Sequence, residues 1–148
     1  MQLLEDRIRR DGKVAPGNVL RVDSFINHQM DIALMEQLAQ EFRRRFSGVR
    51  VDKVLTVEAS GIAIATLVAQ AFGVPLVFAK KAKTAHGEAL QGLIDLVGQA
   101  GGTVAGAGIL IEKAFQDGGQ RIRSQGVRVE SLARVQSMND DGEITFAD

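Results

Sequence analysis

The chain has 148 residues, 45% of them apolar and 24% charged, with 18 basic side chains balanced by 18 acidic ones. Those values suit one globular domain large enough for a real core, and the charge balance argues against a dedicated nucleic-acid binder, which carries a basic face. The absence of cysteine excludes disulfides and thiolate metal sites and accords with a cytoplasmic protein. No apolar run nears the ~20 residues that span a bilayer, and residues 1–10 mix acids and bases with no signal-peptide core.

Residues 2–11 have a short amphipathic helix pattern, with Leu4 and Ile8 on one face and Gly12 at its end. Pro16-Gly17-Asn18 is a turn, and 19–26 is an extended segment or loop. Asp31 is placed as an N-cap, after which Ile32, Met35, Ala39, Phe42 and Phe46 recur at helical spacing. Arg43, Arg44 and Arg45 suit the negative end of that helix dipole and are expected to be solvated. The middle then alternates: strand 54–57, helix 62–72, strand 75–79, helix 88–100 closed by Gly101-Gly102, and strand 104–111, which looks buried on both faces. Helix 118–125, strand 127–132, a turn at Asp140-Asp141-Gly142 and a last strand 144–146 complete the chain. Alternating strands and helices imply an α/β fold with a mostly parallel sheet flanked by helices. Ligands on such sheets sit beyond the carboxyl ends of the strands, where Glu58, Lys80 and Glu112 fall.

Three stretches carry the chemistry. The first is Glu58-Ala59-Ser60-Gly61-Ile62, a small-residue turn between a strand and a helix. Its backbone amides can face an anion, Ser60 adds a hydroxyl, and Gly61 permits close approach. Alone such a turn is common. The others are Leu20-Arg-Val-Asp-Ser-Phe-Ile-Asn27-His28-Gln29 and Ile109-Leu-Ile-Glu112-Lys113-Ala-Phe115-Gln116. Taken singly, Leu20 suits a core, Asn27 a cap and Lys113 a surface. Together the three stretches resemble the xanthine phosphoribosyltransferase family, within the type I phosphoribosyltransferase group.

That resemblance implies a single domain over 1–148, with a small hood built from the N- and C-terminal segments. It implies transfer of the phosphoribosyl group of phosphoribosyl pyrophosphate to xanthine, giving xanthosine monophosphate and pyrophosphate in purine salvage. Leu20, Asn27 and Lys113 would bind the base. Asn27 both donates and accepts, as reading a purine edge requires. A cation at Lys113 favours the acceptor-rich, partly anionic edge of xanthine over adenine, and Phe115 would pack nearby. Glu58, Ala59, Ser60 and Gly61 would form the pyrophosphate loop. Ala85, His86, Gly87, Glu88 and Ala89 open a helix and would cradle the 5′-phosphate; read without the family they are an ordinary helix start. Lys80, Lys81 and Lys83 would reach the pyrophosphate of the other subunit in a homodimer, although any one of them equally suits a solvated turn. Mg2+ would enter bound to phosphoribosyl pyrophosphate, with no metal ligand of the protein assigned. Residues 129–134 would cover the site or the dimer contact.

The chain departs from the family in one place. The type I group carries a strand ending in two adjacent acids before its phosphate loop, and those acids hold the ribose hydroxyls. Here Lys83-Thr84 runs straight into Ala85-His86-Gly87. A segment of several tens of residues is missing between Thr84 and Ala85, so the catalytic acids are unassigned. Asp140-Asp141 sits in a turn and does not replace them. Either the natural protein carries the segment, which is the expectation, or the deletion is genuine and 75–79, 88–100 and 104–111 form a plain βαβ unit. A ligand-sensing regulator on the same fold is the alternative function, one that would tolerate the missing acids. An adenine-specific enzyme is disfavoured by Lys113.

Overall fold

The computed structural model describes residues 1–80, 88–139 and 141–147. Helix α1 (Gln2–Asp11) buries Leu4 and Ile8, four apart on one face, and Gly12 ends it. Strands β1 (Lys13–Ala15) and β2 (Val19–Arg21) form an antiparallel hairpin over the turn at Pro16-Gly17-Asn18. Asn18 takes a positive φ there, a conformation Asn tolerates better than most residues. The sequence pattern gave no sign of β1, whose three residues are too few to show a period.

Helix α2 (Ile32–Arg45) starts where expected. Asp31 accepts a hydrogen bond from the Leu34 amide and an ion pair from Arg7. Its buried stripe is Leu34, Met35, Leu38, Ala39 and Phe42. Ile32, assigned to that stripe from its spacing, is 54% exposed, at the edge of the stripe, although Leu34 and Met35 in the same turn are buried. The basic end is tied down: Arg44 and Arg45 pair with Glu41, and Arg45 also donates to the Ser131 carbonyl.

Strand β3 (Val54–Val57), helix α3 (Gly61–Phe72) and strand β4 (Leu76–Ala79) form a βαβ unit, with β3 and β4 parallel. Helix α4 (Glu88–Gln99) follows. Then come β5 (Ala107–Lys113), α5 (Gly118–Ser124), β6 (Val129–Met138) and β7 (Ile144–Phe146). β5 and β6 are parallel, and β7 returns antiparallel to β6. The fold is α/β with parallel strands and covering helices. Among the described residues, however, the parallel strands form two separate ladders, β3-β4 and β5-β6-β7. β4 and β5 therefore do not share a βαβ unit. Nor is the fifth strand buried on both faces: Ala107 and Glu112 are its only buried residues.

The core is lopsided in the same way. Leu4, Ile8, Phe25, Leu38, Leu132 and Val135 are fully enclosed, all on the side of α1, α2 and β6. On the other side Val77 is 43% exposed and Phe78 53%, and Ala65 and Ala69 are the only buried residues of α3. Residues 129–134, expected to cover the site or a dimer contact, lie in β6, where Leu132 and Ala133 are core and Ser131 reaches Glu112.

Candidate active site

The carboxyl ends of the parallel strands gather the described site residues. β3 leads into Glu58, whose amide donates to the Ala79 carbonyl at the end of β4. Val57 pairs with Ala79, so Glu58 and the exposed Lys80 leave the ladder side by side. The Glu58–Ala59 peptide is cis. Ala59 and Ser60 are exposed, and Ser60, at the N-cap of α3, makes no side-chain capping bond. The start of α3 is thus a small, uncovered turn suited to an anion, with the Ile62 amide donating to the Ala59 carbonyl. Gly61 is required there because a Cβ would overlap the Thr56 hydroxyl.

Lys113 ends β5. Its Nζ donates to the Asn18 carbonyl at 2.6 Å, across 95 residues of sequence. That bond lays the β1-β2 hairpin, with half-buried Leu20, against the end of β5. Leu20 and Lys113, far apart in sequence, are thereby brought to one place. A cleft of about 280 Å³ opens beside Lys113, lined by Leu90, Ile109, Ile111, Glu112 and Gln116 among others. Asn27 lies half-buried in the loop between β2 and α2, which is closed by bonds from the Gln29 amide to the Asp23 carbonyl and from the Asp31 amide to the Phe25 carbonyl. Phe25 and Ile26 anchor this loop in the core and leave the Asn27 carboxamide without a hydrogen bond among the described residues. Phe115 is 41% exposed on the turn after Lys113.

Lys81, Lys83, Ala85, His86 and Gly87 lie outside the described residues. Glu88 and Ala89 open α4, where the sequence pattern places a helix. A second cleft, of about 520 Å³, lies among Met1, Glu5, Arg9, Arg45 and Arg134, and no site residue named from the sequence lines it.

One feature of the site escaped the sequence. Glu112, adjacent to Lys113, is a buried carboxylate, only 6% exposed. Arg123 of α5 grips it with two nitrogens, Nη1 to Oε1 at 2.6 Å and Nη2 to Oε2 at 2.8 Å. The Ser131 hydroxyl donates at 2.5 Å, and Arg134 Nε stands 3.5 Å away. Arg123, aided by Ser131, holds the Glu112 carboxyl at about 2, well below its ordinary value, against the opposing effect of burial. The signal available in the sequence was the separation of 11 residues between Glu112 and Arg123, which does not disclose a pairing by itself.

The fold is shared with solved phosphoribosyltransferases. The structure matches the adenine enzyme of Giardia lamblia, complexed with 9-deazaadenine, at a TM-score of 0.75 and 17% identity, over 90% of this chain and 98% of that one. It matches the adenine enzyme of Trypanosoma brucei at 0.72 and 16% identity, over 88% of this chain and 79% of that one. No family model matches the chain. The α/β arrangement of parallel strands and covering helices is thus one that solved phosphoribosyltransferases share.

Among curated relatives, xanthine phosphoribosyltransferase of Lachnoclostridium phytofermentans is 46% identical, over 99% of this chain and 98% of its own length. Those of Alkaliphilus metalliredigens and Bacillus cereus are 42% and 40% identical, over 95% and 99% of this chain and 91% and 95% of their own lengths. The chain belongs to the xanthine phosphoribosyltransferase family. The alignment with the Lachnoclostridium relative runs over 190 positions against 148 residues in the chain, which leaves about forty positions without a counterpart here.

Proposed function

We infer that the protein is an enzyme that transfers the phosphoribosyl group of phosphoribosyl pyrophosphate to xanthine. The bond between the base nitrogen and C1′ forms, the C1′–O bond to pyrophosphate breaks, and the base gives up a proton. The products are xanthosine monophosphate and pyrophosphate. The near full-length identity with xanthine phosphoribosyltransferases carries this reading. The geometry suits it. Lys113 supplies a cation at the end of β5, Leu20 an apolar contact beside it, and Asn27 an amide with free donors and acceptors. The open turn Glu58–Gly61 offers backbone amides for pyrophosphate. The alternative role as a sensor draws support from none of these relatives.

The finer assignments belong to the same proposal. Ala85–Ala89 would hold the 5′-phosphate, and Lys80, Lys81 and Lys83 would serve the neighbouring site of a homodimer. Among the described residues no group of three or more His, Asp or Glu side chains gathers to hold a metal. The amides and lysine at the carboxyl edge suit phosphate oxygens, so Mg2+ would arrive on phosphoribosyl pyrophosphate, where it would offset charge on the leaving group. No helix among the described residues is long and apolar enough to cross a membrane, and we place the reaction in the cytoplasm. The natural protein would carry the absent segment, with its ribose-binding acids, between Thr84 and Ala85. The deciding assay incubates the protein with phosphoribosyl pyrophosphate and xanthine, guanine, hypoxanthine or adenine. Xanthosine monophosphate is the expected main product; adenine as the better substrate would refute the assignment.

A further inference from the structure

The strand-turn-helix that presents Lys113 is weak by its own chemistry. α5 has seven residues, fewer than two helical turns, and begins with Gly118-Gly119. Its N-cap, Asp117, makes no side-chain capping bond. A helix so short, opened by two poor helix formers, does not hold itself together in water. The turn before it is secured near Lys113 by the Ala114 amide on the Val135 carbonyl and the Gln116 amide on the Lys113 carbonyl. What returns α5 to the sheet is buried Ile122 and, next to it, the two-pronged Arg123–Glu112 pair. Gly119 belongs to the same device, because a Cβ there would overlap Glu112 Oε1. The glycine lets helix backbone and carboxylate come close enough for the fork to close.

We propose that Glu112 and Arg123 are positioning residues for purine recognition: their fork fixes the 113–117 turn, and with it where the Lys113 ammonium meets the base. This rests on the reading that Lys113 binds xanthine. Glu112 lines the cleft beside Lys113 but is assigned an action through Arg123 rather than on the base. Strand alternation sends it and Lys113 to opposite faces of β5. The carboxylate spends its oxygens on Arg123 and Ser131. Such a bidentate pair fixes direction as well as distance, which a lone lysine in place of Arg123 does not. The pyrophosphate turn lies on the other ladder, at β3 and α3, so loosening the fork should leave it in place.

The test is steady-state kinetics on the purified enzyme, with xanthine and phosphoribosyl pyrophosphate varied separately. Arg123→Met removes the fork, Arg123→Lys keeps the charge without the second prong, and Gly119→Ala displaces the carboxylate from the helix side. The KM for xanthine should rise about tenfold in Arg123→Met and Gly119→Ala and about threefold in Arg123→Lys, while kcat and the KM for phosphoribosyl pyrophosphate stay within about twofold. A parallel rise of both KM values, or an unchanged KM for xanthine, overturns the proposal. If Arg123→Met does not fold, the milder two variants decide by the same split. An unmutated enzyme that ignores xanthine would sink the functional reading and this inference together. One that uses xanthine without the selective shift sinks this inference alone.

Discussion

Lys113 concentrates the specificity argument into one side chain. Its ammonium has three donors, and the free structure engages one of them, with the Asn18 carbonyl. The others are available to the oxygen-bearing edge of a purine. Lys113→Ala should raise the KM for xanthine by about 10- to 100-fold and the KM for phosphoribosyl pyrophosphate much less, because a site built for a polar edge discriminates by what it leaves unpaired. Equal effects on both substrates in initial-rate assays would remove Lys113 from base recognition. Glu112, next along the strand, is a stability group. Its carboxyl sits at about 2 when folded against an ordinary 4.5. Between those values the unfolded chain takes up a proton that the folded chain refuses, so stability falls as pH drops through this window and is fully present above it. Glu41, held at about 2 by Arg44 and Arg45, adds to the same fall. Glu112→Gln should therefore lower the melting temperature at pH 7, and the gap to the unmutated protein should narrow as pH approaches about 2. A gap independent of pH in calorimetric scans would contradict this.

At the scale of elements, strong local chemistry was legible and weak local chemistry was not. α1 and α2 have apolar stripes, α1 stopped by Gly12 and α2 capped by Asp31, and both fall where the pattern put them. Asp31 is the clearest case, since its carboxylate caps α2 with one oxygen and binds Arg7 with the other. Asp31→Ala should cost about 1 kcal/mol or somewhat more, lowering the melting temperature by about 3 °C, and Asp31→Asn should recover most of it. An unchanged melting temperature in Asp31→Ala would show the cap to be idle. The β1 strand and the Glu112–Arg123 fork were not legible. The first is set by pairing with β2 and the second by α5 folding back on β5, and neither leaves a period in the sequence. The site was legible in part for a related reason. Glu58–Gly61, Leu20, Asn27 and Lys113 stand in stretches that match a family, but only the bond from Lys113 to Asn18 shows how hairpin and strand come together.

At the scale of the whole molecule, we propose one explanation for the divided sheet and the lopsided core. Apolar parallel strands are stable with neighbours on both edges and helices on both faces. Among the described residues, β3 pairs with β4 alone and β5 with β6 alone. Of the exposed large apolar residues, Val77, Phe78 and Leu96 belong to elements flanking the junction between Thr84 and Ala85, while others, such as Ile32, lie elsewhere. A strand from a segment of about forty residues inserted at that junction would fit between β3 and β5 and join the ladders, a length that matches the unpaired part of the 190-position alignment. Two measurements bear on this. The protein from its natural source should weigh several kilodaltons more than 15.9 kDa. In the 148-residue chain, amides of β3 and β4 should exchange with solvent well before those of α2 and β6, because few buried apolar contacts hold them. With the segment present, β3 and β5 should become as protected as β6. A natural mass of 15.9 kDa, or β3 amides already as slow as those of β6 in the short chain, would mean that the sheet is complete as it stands and that the ribose must be held by some other part of the protein.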